Sequence, residues 1–142
     1  MRAWTAAFAL TLLATTAALA QPKVLRYTPA ADLTSLDAQT NTALVTAQYG
    51  MMVYDTLFSS DINLKPQPQM VDTWSVSDDR KTYTFTLRPG LKFHDGSPVT
   101  TKDVIASLQR WGKRDGAGKT LLSYTAAITA KSNTVVRLAT RR

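Results

Sequence analysis

The sequence predicts an α+β fold, and three stretches carry that reading. Trp74-Ser75-Val76-Ser77 and Thr82-Tyr83-Thr84-Phe85-Thr86-Leu87-Arg88 alternate with period 2 around a polar Asp78-Asp79-Arg80-Lys81 turn, the pattern of an antiparallel hairpin. Val104, Ile105, Leu108 and Trp111 then recur at helical spacing, with Lys102, Gln109, Arg110 and Lys113 outside that face. Upstream, Val45, Tyr49, Met52 and Val53 share one side of a second helix whose neighbouring positions, Ala47, Met51 and Tyr54, are apolar too.

The first twenty residues read as an address. Arg2 forms a short basic region, Ala6 to Leu13 is apolar, and Ala18-Leu19-Ala20 is an A-x-A cleavage pattern, so residues 1–20 are expected to be a signal peptide and the mature chain to begin at Gln21. Thr5, Thr11, Thr15 and Thr16 dilute the apolar run, which argues against a membrane anchor. No Cys follows the cleavage pattern, so no lipid anchor is expected, and Arg2 is not part of an Arg pair.

Val24 to Thr28 has β-rich character and stops at Pro29, giving an expected strand that runs into a long polar loop, Pro29 to Thr40. Asn41 or Thr42 caps the first helix, expected through about Leu57 and buried on more than one side, its Met and Tyr residues in the core. Ser59 to Pro68 reads as turn. In the hairpin, pairing Ser77 with Thr82 sets Val76 opposite Tyr83 and Trp74 opposite Phe85 on the apolar side, with the Thr residues on the other. Pro89-Gly90 turns the chain, Leu91 to Phe93 is briefly extended, and His94 to Pro98 turns again. Thr100 caps the next helix with Asp103 at N3, a capping box with Asp in the usual Glu position, and Lys113 and Arg114 suit its C-terminal end. Gly112 to Lys119 is expected to be a flexible basic loop, Leu121 to Ala127 a helix, and Ile128–Lys131 with Thr134–Leu138 a second hairpin.

The chain has 142 residues, the length of one ordinary domain, with 17 Lys+Arg against 10 Asp+Glu and a formal charge of +7. The absence of Cys excludes disulfides, a thiolate zinc site and a cysteine nucleophile, and the single His excludes a His-rich metal site. No cofactor is expected. The positive excess lies after residue 80, a distribution that suits either an anionic partner or one patch of a larger surface.

Little in the sequence points to catalysis. His94 beside Asp95 lies in a turn, and no Ser in a nucleophile-elbow context accompanies it, so the chain is not expected to be an enzyme. Asp78-Asp79 reads as a solvated turn, not a cation site, and the Gly116/Gly118 stretch lacks the spacing of a phosphate loop. Nucleic-acid stacking is not expected, because Tyr83 and Phe85 share the face of Trp74 and Val76, the arrangement of a core.

The stretch from Trp74 to Arg110 closely resembles the bacterial extracellular solute-binding proteins of family 5, the peptide, nickel and opine type that deliver ligands to ABC importers. The matching elements are Trp74-x-Val76-Ser77, Asp78-Asp79, Tyr83-x-Phe85-x-Leu87-Arg88, Gly90-x-Lys92-Phe93-His94-Asp95-Gly96, and Val99 leading to Asp103-Val104. Weaker agreement extends to the Leu36-Asp37 loop and to Tyr54-Asp55-Thr56-Leu57. Arg80 departs from the pattern, standing where the family often has Gly, a strained choice if φ is positive there.

The resemblance implies a fragment of a two-lobed periplasmic binding protein: residues 21–142 correspond to the N-terminal part of the first lobe, and the second lobe is expected to be absent from this sequence. It implies a periplasmic, monomeric carrier that encloses a small solute such as a peptide by hinge closure and presents it to an ABC permease in the inner membrane. Pro29, Ala30, Ala31 and Asp32 look like the segment that lines the cleft in relatives, with Tyr49 expected to approach it, whereas Trp74, Tyr83, Phe85 and Phe93 serve folding. The competing expectation is a stand-alone exported basic module that binds anionic polymers or a membrane surface. Because the first helix calls for partners on several sides, marginal stability and exposed apolar surface are expected of this chain on its own.

Overall fold

The computed structural model describes residues 23–39 and 41–141, so the expected signal peptide at residues 1–20 lies outside the described residues. In chain order the elements are α1 (Leu44–Val53), β1 (Phe58–Ser60), β2 (Pro66–Pro68), β3 (Val71–Val76), β4 (Thr82–Leu87), α2 (Thr101–Arg114), α3 (Gly116–Tyr124), β5 (Thr125–Ala130) and β6 (Val135–Thr140). β1 and β2 form a two-stranded ribbon, and the other four strands form one antiparallel sheet in the order β3-β4-β6-β5.

The central hairpin has the expected register: Val76 pairs with Tyr83 and Trp74 with Phe85, and the Ser77 amide donates to the Thr82 carbonyl at 2.9 Å. Asp79 ties its turn together, accepting from the Ser77 hydroxyl at 2.5 Å and the Lys81 amide at 3.0 Å. Arg80 has φ 56, a left-handed conformation that Gly adopts without strain and Arg does not.

Cross-strand partners point to the same side of a sheet, so Phe85 with Val136 and Tyr83 with Leu138 and Ile128 continue the apolar face across β4, β6 and β5. Thr82, Thr84 and Thr86 take the opposite face, where Arg137 reaches the Thr82 hydroxyl. The core is Leu87, Val104 and Val136, with Leu57, Leu91, Ile105, Leu108 and Ile128 packed around it. The apolar side of α2 thus covers the Leu87 and β6 region, as its spacing predicts.

At the start of α2 the Asp103 carboxylate accepts from both the Thr100 amide (2.8 Å) and the Thr100 hydroxyl (2.7 Å). Those two bonds, the hydroxyl's first, hold the Asp103 carboxyl below its ordinary value. Thr101, fully buried behind it, donates its hydroxyl to the Ser132 carbonyl and its amide to the Asn133 carbonyl, which locks the helix onto the β5–β6 turn.

Five expectations need correction. Val24 to Thr28 is extended but not a strand, because no strand of either sheet lies alongside it; Val24 and Leu25 stand in solvent. α1 begins after Ala43, which supplies no side-chain cap, and not from a capping Asn41 or Thr42; it ends at Val53, where Tyr54 turns extended, and does not reach Leu57. Its Met and Tyr residues are not core: Met51 is 83% exposed, and Met52 and Tyr54 are exposed as well, because among the described residues packing reaches the helix only around Val45, Thr46 and Gly50. Ser59 to Pro68 contains the β1–β2 ribbon, whose two prolines are tolerated because a two-stranded ribbon has free edges on both sides.

The fifth concerns Gly112 to Lys119, which is not a loop. α2 runs to Arg114, and Asp115 caps α3 by accepting from the Ala117 amide (2.8 Å) and the Gly118 amide (3.1 Å). The glycines serve close packing of the two helices. A Cβ on Gly118 would lie 2.8 Å from the Trp111 carbonyl oxygen and 2.9 Å from the Gly112 Cα. The strand that follows therefore begins at Thr125, three residues earlier than the sequence predicts.

Candidate functional site

The segment expected to contact solute lies between two ties to α1, at Tyr27 and at Ser35. Pro29 is half-buried, while Ala30, Ala31 and Asp32 are exposed. Tyr49, half-buried on α1, meets the segment through Tyr27: the two rings stand edge to face at 5.9 Å, and the Tyr27 hydroxyl donates to Gln48 Oε1 at 2.6 Å. Tyr49 and the stretch leading into Pro29 to Asp32 are therefore together, although neither Tyr49 nor residues 29–32 line the two cavities described below.

Downstream, the chain is clamped from two sides. Thr46, fully buried on α1, donates its hydroxyl to the Ser35 carbonyl at 3.0 Å. Asp37 folds the loop locally, accepting from the Gln39 amide at 3.2 Å, and the Arg110 guanidinium of α2 grips its carboxylate with both terminal nitrogens, Nη1 at 3.0 Å and Nη2 in closer contact. Nη1 also donates to Gln39 Oε1 at 2.7 Å, and Gln39 Nε2 donates to the Ser107 hydroxyl at 3.0 Å. The Asp37 bond, and then its charge, hold Arg110 above its ordinary value, so it is a cation throughout the accessible pH range. Asp37 belongs to the loop and Arg110 to the polar side of the helix in the sequence pattern, with nothing that joins them. Their pairing across 73 residues leaves no periodic signal.

The cavity beside α1, about 250 Å³, lies between the helix and the β1–β2 ribbon and is lined by Ala38, Ala47, Gly50, Met51, Tyr54 and Gln69 among others. The second, about 280 Å³, lies at the start of α2 between Arg88, Lys92, Thr100 and Asn133. His94 is exposed in its turn, and the neighbouring Asp95 is engaged by the Ser97 hydroxyl (2.6 Å) and amide (2.9 Å), which lower its titration in that order. Among the described residues no cluster of His, Asp, Glu or Cys could hold a metal ion, and no helix is long and apolar enough to cross a membrane.

A four-stranded sheet with helices on one face, joined to an N-terminal segment clamped against two helices, is the architecture of part of an extracellular binding protein's lobe. In solved structures it is similar to AgaA of A. tumefaciens R10, determined with agropinic acid, at TM-score 0.68 and 30% identity over 77% of this chain and 22% of that one. Residues 65–142 match the model for bacterial extracellular solute-binding proteins, family 5. The chain belongs to that family.

Among curated relatives, a probable peptide ABC transporter periplasmic-binding protein of Sinorhizobium fredii, y4tO, is 42% identical over 132 residues, covering 85% of this chain and 25% of the relative. The probable deoxycholate-binding periplasmic protein YgiS of Escherichia coli is 34% identical over 92 residues, 65% of this chain and 17% of that protein. The chain thus spans a quarter or less of the length of these relatives.

Proposed function

We propose that this chain supplies the N-terminal part of the first lobe of a periplasmic solute-binding component of an ABC importer, with a peptide or similar small molecule as solute. The observation that carries this reading is the 42% identity to a probable peptide ABC transporter periplasmic-binding relative across most of the chain. In this reading residues 1–20 direct export, Pro29, Ala30, Ala31, Asp32 and Tyr49 face the cleft, and the remaining lobe supplies most of the specificity. Closure of two lobes about the solute would create the form that an inner-membrane permease recognises. The chain acts by enclosure and performs no chemistry on its solute.

A hybrid tests this. In AgaA, the matching 22% is replaced by the aligned 77% of this chain, and agropinic acid binding is measured by calorimetry. If the chain forms a working part of the first lobe and specificity lies elsewhere, a folded hybrid binds agropinic acid within about tenfold of AgaA itself, a difference near 1.4 kcal/mol. A hybrid that melts cooperatively yet binds nothing contradicts the proposal. The basic-module alternative predicts instead that the 142-residue chain alone binds heparin with a steep salt dependence.

A further inference from the structure

We propose that Arg110 is a positioning residue: its two-pronged grip on Asp37, with Gln39 as a second acceptor, is a latch that sets the course of the upstream segment Pro29 to Asp32, between Tyr27 on Tyr49 and the clamped loop, for solute contact. This rests on the solute-binding reading given above.

The geometry behind it is a chain of ties across distant parts of the sequence. Arg110 and Ser107 lie one turn apart on α2 and reach the loop at Asp37 and Gln39. Thr46 on α1 holds the same loop at Ser35, and the next turn of α1 carries Tyr49 against Tyr27. Residues 29–32 are therefore strung between an aromatic contact at Tyr27 and a polar clamp at Ser35 to Gln39. Releasing Arg110 leaves the downstream end of the segment held by the Thr46 bond to Ser35 alone, a single tie in place of a clamp.

An ion pair as exposed as this one, with the two side chains 52% and 35% accessible, adds little to global stability. What a two-pronged guanidinium contact does supply is direction, because the planar fork matches both carboxylate oxygens in a single orientation. Lys at this position would keep the charge and lose the fork. The latch therefore predicts a separation of effects: removing Arg110 changes where the segment lies, and so how well it meets solute, without unfolding the sheet and α2.

The experiment uses two proteins. In the AgaA hybrid, agropinic acid affinity and the thermal midpoint are measured for wild type, Arg110→Gln, Arg110→Lys and the exchange Asp37→Arg/Arg110→Asp. If the segment, once unlatched, is competent only about one-tenth of the time, apparent affinity falls about tenfold in Arg110→Gln. Arg110→Lys lies between, the exchange recovers most of the loss, and the midpoint stays within a degree or two. Unchanged affinity in a folded Arg110→Gln hybrid overturns the latch, as does an affinity loss that tracks the midpoint.

In the full 142-residue chain, chymotryptic cleavage after Leu36, the exposed residue between the clamped Ser35 and Asp37, is timed by mass spectrometry. The latch predicts faster cleavage in Arg110→Gln and recovery in the exchange, since cleavage follows the population of released segment. Equal rates in all variants overturn it. If the wild-type hybrid fails to bind, the solute-binding reading fails, and the cleavage series alone decides whether the latch exists.

Discussion

Beneath α2, the sheet buries Leu87 to 3% and Val136 to 1% accessibility, with Val104, Leu108 and Ile128 closing around them. At the other end of the chain α1 has only Val45, Thr46 and Gly50 buried, and the loop that precedes it is held by hydroxyl, amide and guanidinium contacts. The apolar side of the sheet divides in the same way. Where α2 lies it is core, whereas over β3 Trp74 is 51% exposed, flanked by its cross-strand partner Phe85 and met edge to face by Phe58. One region is organised by packing, the other by directional polar contacts around uncovered apolar surface. The difference teaches where the described residues leave apolar surface uncovered: on α1 and over β3, while the face under α2 is closed.

The sharpest way to break this comparison is to attack the packed region. Leu87→Ala removes a buried side chain from the centre of the cluster and should cost about 2–5 kcal/mol, read as a lower urea midpoint. A loss under about 1 kcal/mol would mean that this core carries less than its burial indicates. Gly118→Ala comes next. Its new Cβ would lie 2.8 Å from the Trp111 carbonyl, and separating α2 from α3 to admit it should cost about 1–3 kcal/mol. If the segment were a flexible loop, the same substitution would be neutral or stabilising.

Acid addresses a smaller effect. Asp61, Asp79, Asp95 and Asp103 all titrate below the ordinary carboxylate value, each held by bonds from its own turn or cap. A carboxyl lowered in the folded state stabilises the fold above its unfolded value of 3.8, and that contribution disappears as pH falls through the folded value. Stability should therefore be level near neutrality and decline below about pH 4. Thr100→Val should move the Asp103 titration, followed by NMR, back toward the ordinary value and leave Asp79 where it is. The smallest effect belongs to the exposed region: Met51→Gln should change stability by less than about 0.5 kcal/mol while reducing the binding of a hydrophobic dye.

Much of the packed region was legible because local rules govern it. The Trp74 to Leu87 hairpin, its register, the Thr100 and Asp103 cap and the apolar face of α2 all follow from spacing within a few residues. The same rules misread Gly112 to Lys119, since glycine marks a flexible loop and a close helix contact alike, and only the neighbouring helix distinguishes them. The candidate segment was visible only through resemblance. Its surroundings depend on Asp37 meeting Arg110 and Thr46 meeting Ser35, pairs that arise from tertiary placement and leave no pattern in the sequence. The expectation of a first strand failed for a related reason, because a β-rich run becomes a strand only when another strand lies beside it.

Amide hydrogen exchange on the full chain tests the central contrast most directly. Slowest exchange is expected in β4 and β6, Thr82–Leu87 and Val135–Thr140, where the ladders flank the core, and much faster exchange in α1, Leu44–Val53, whose apolar surface is uncovered. Protection of α1 equal to that of β4 and β6 would contradict the account.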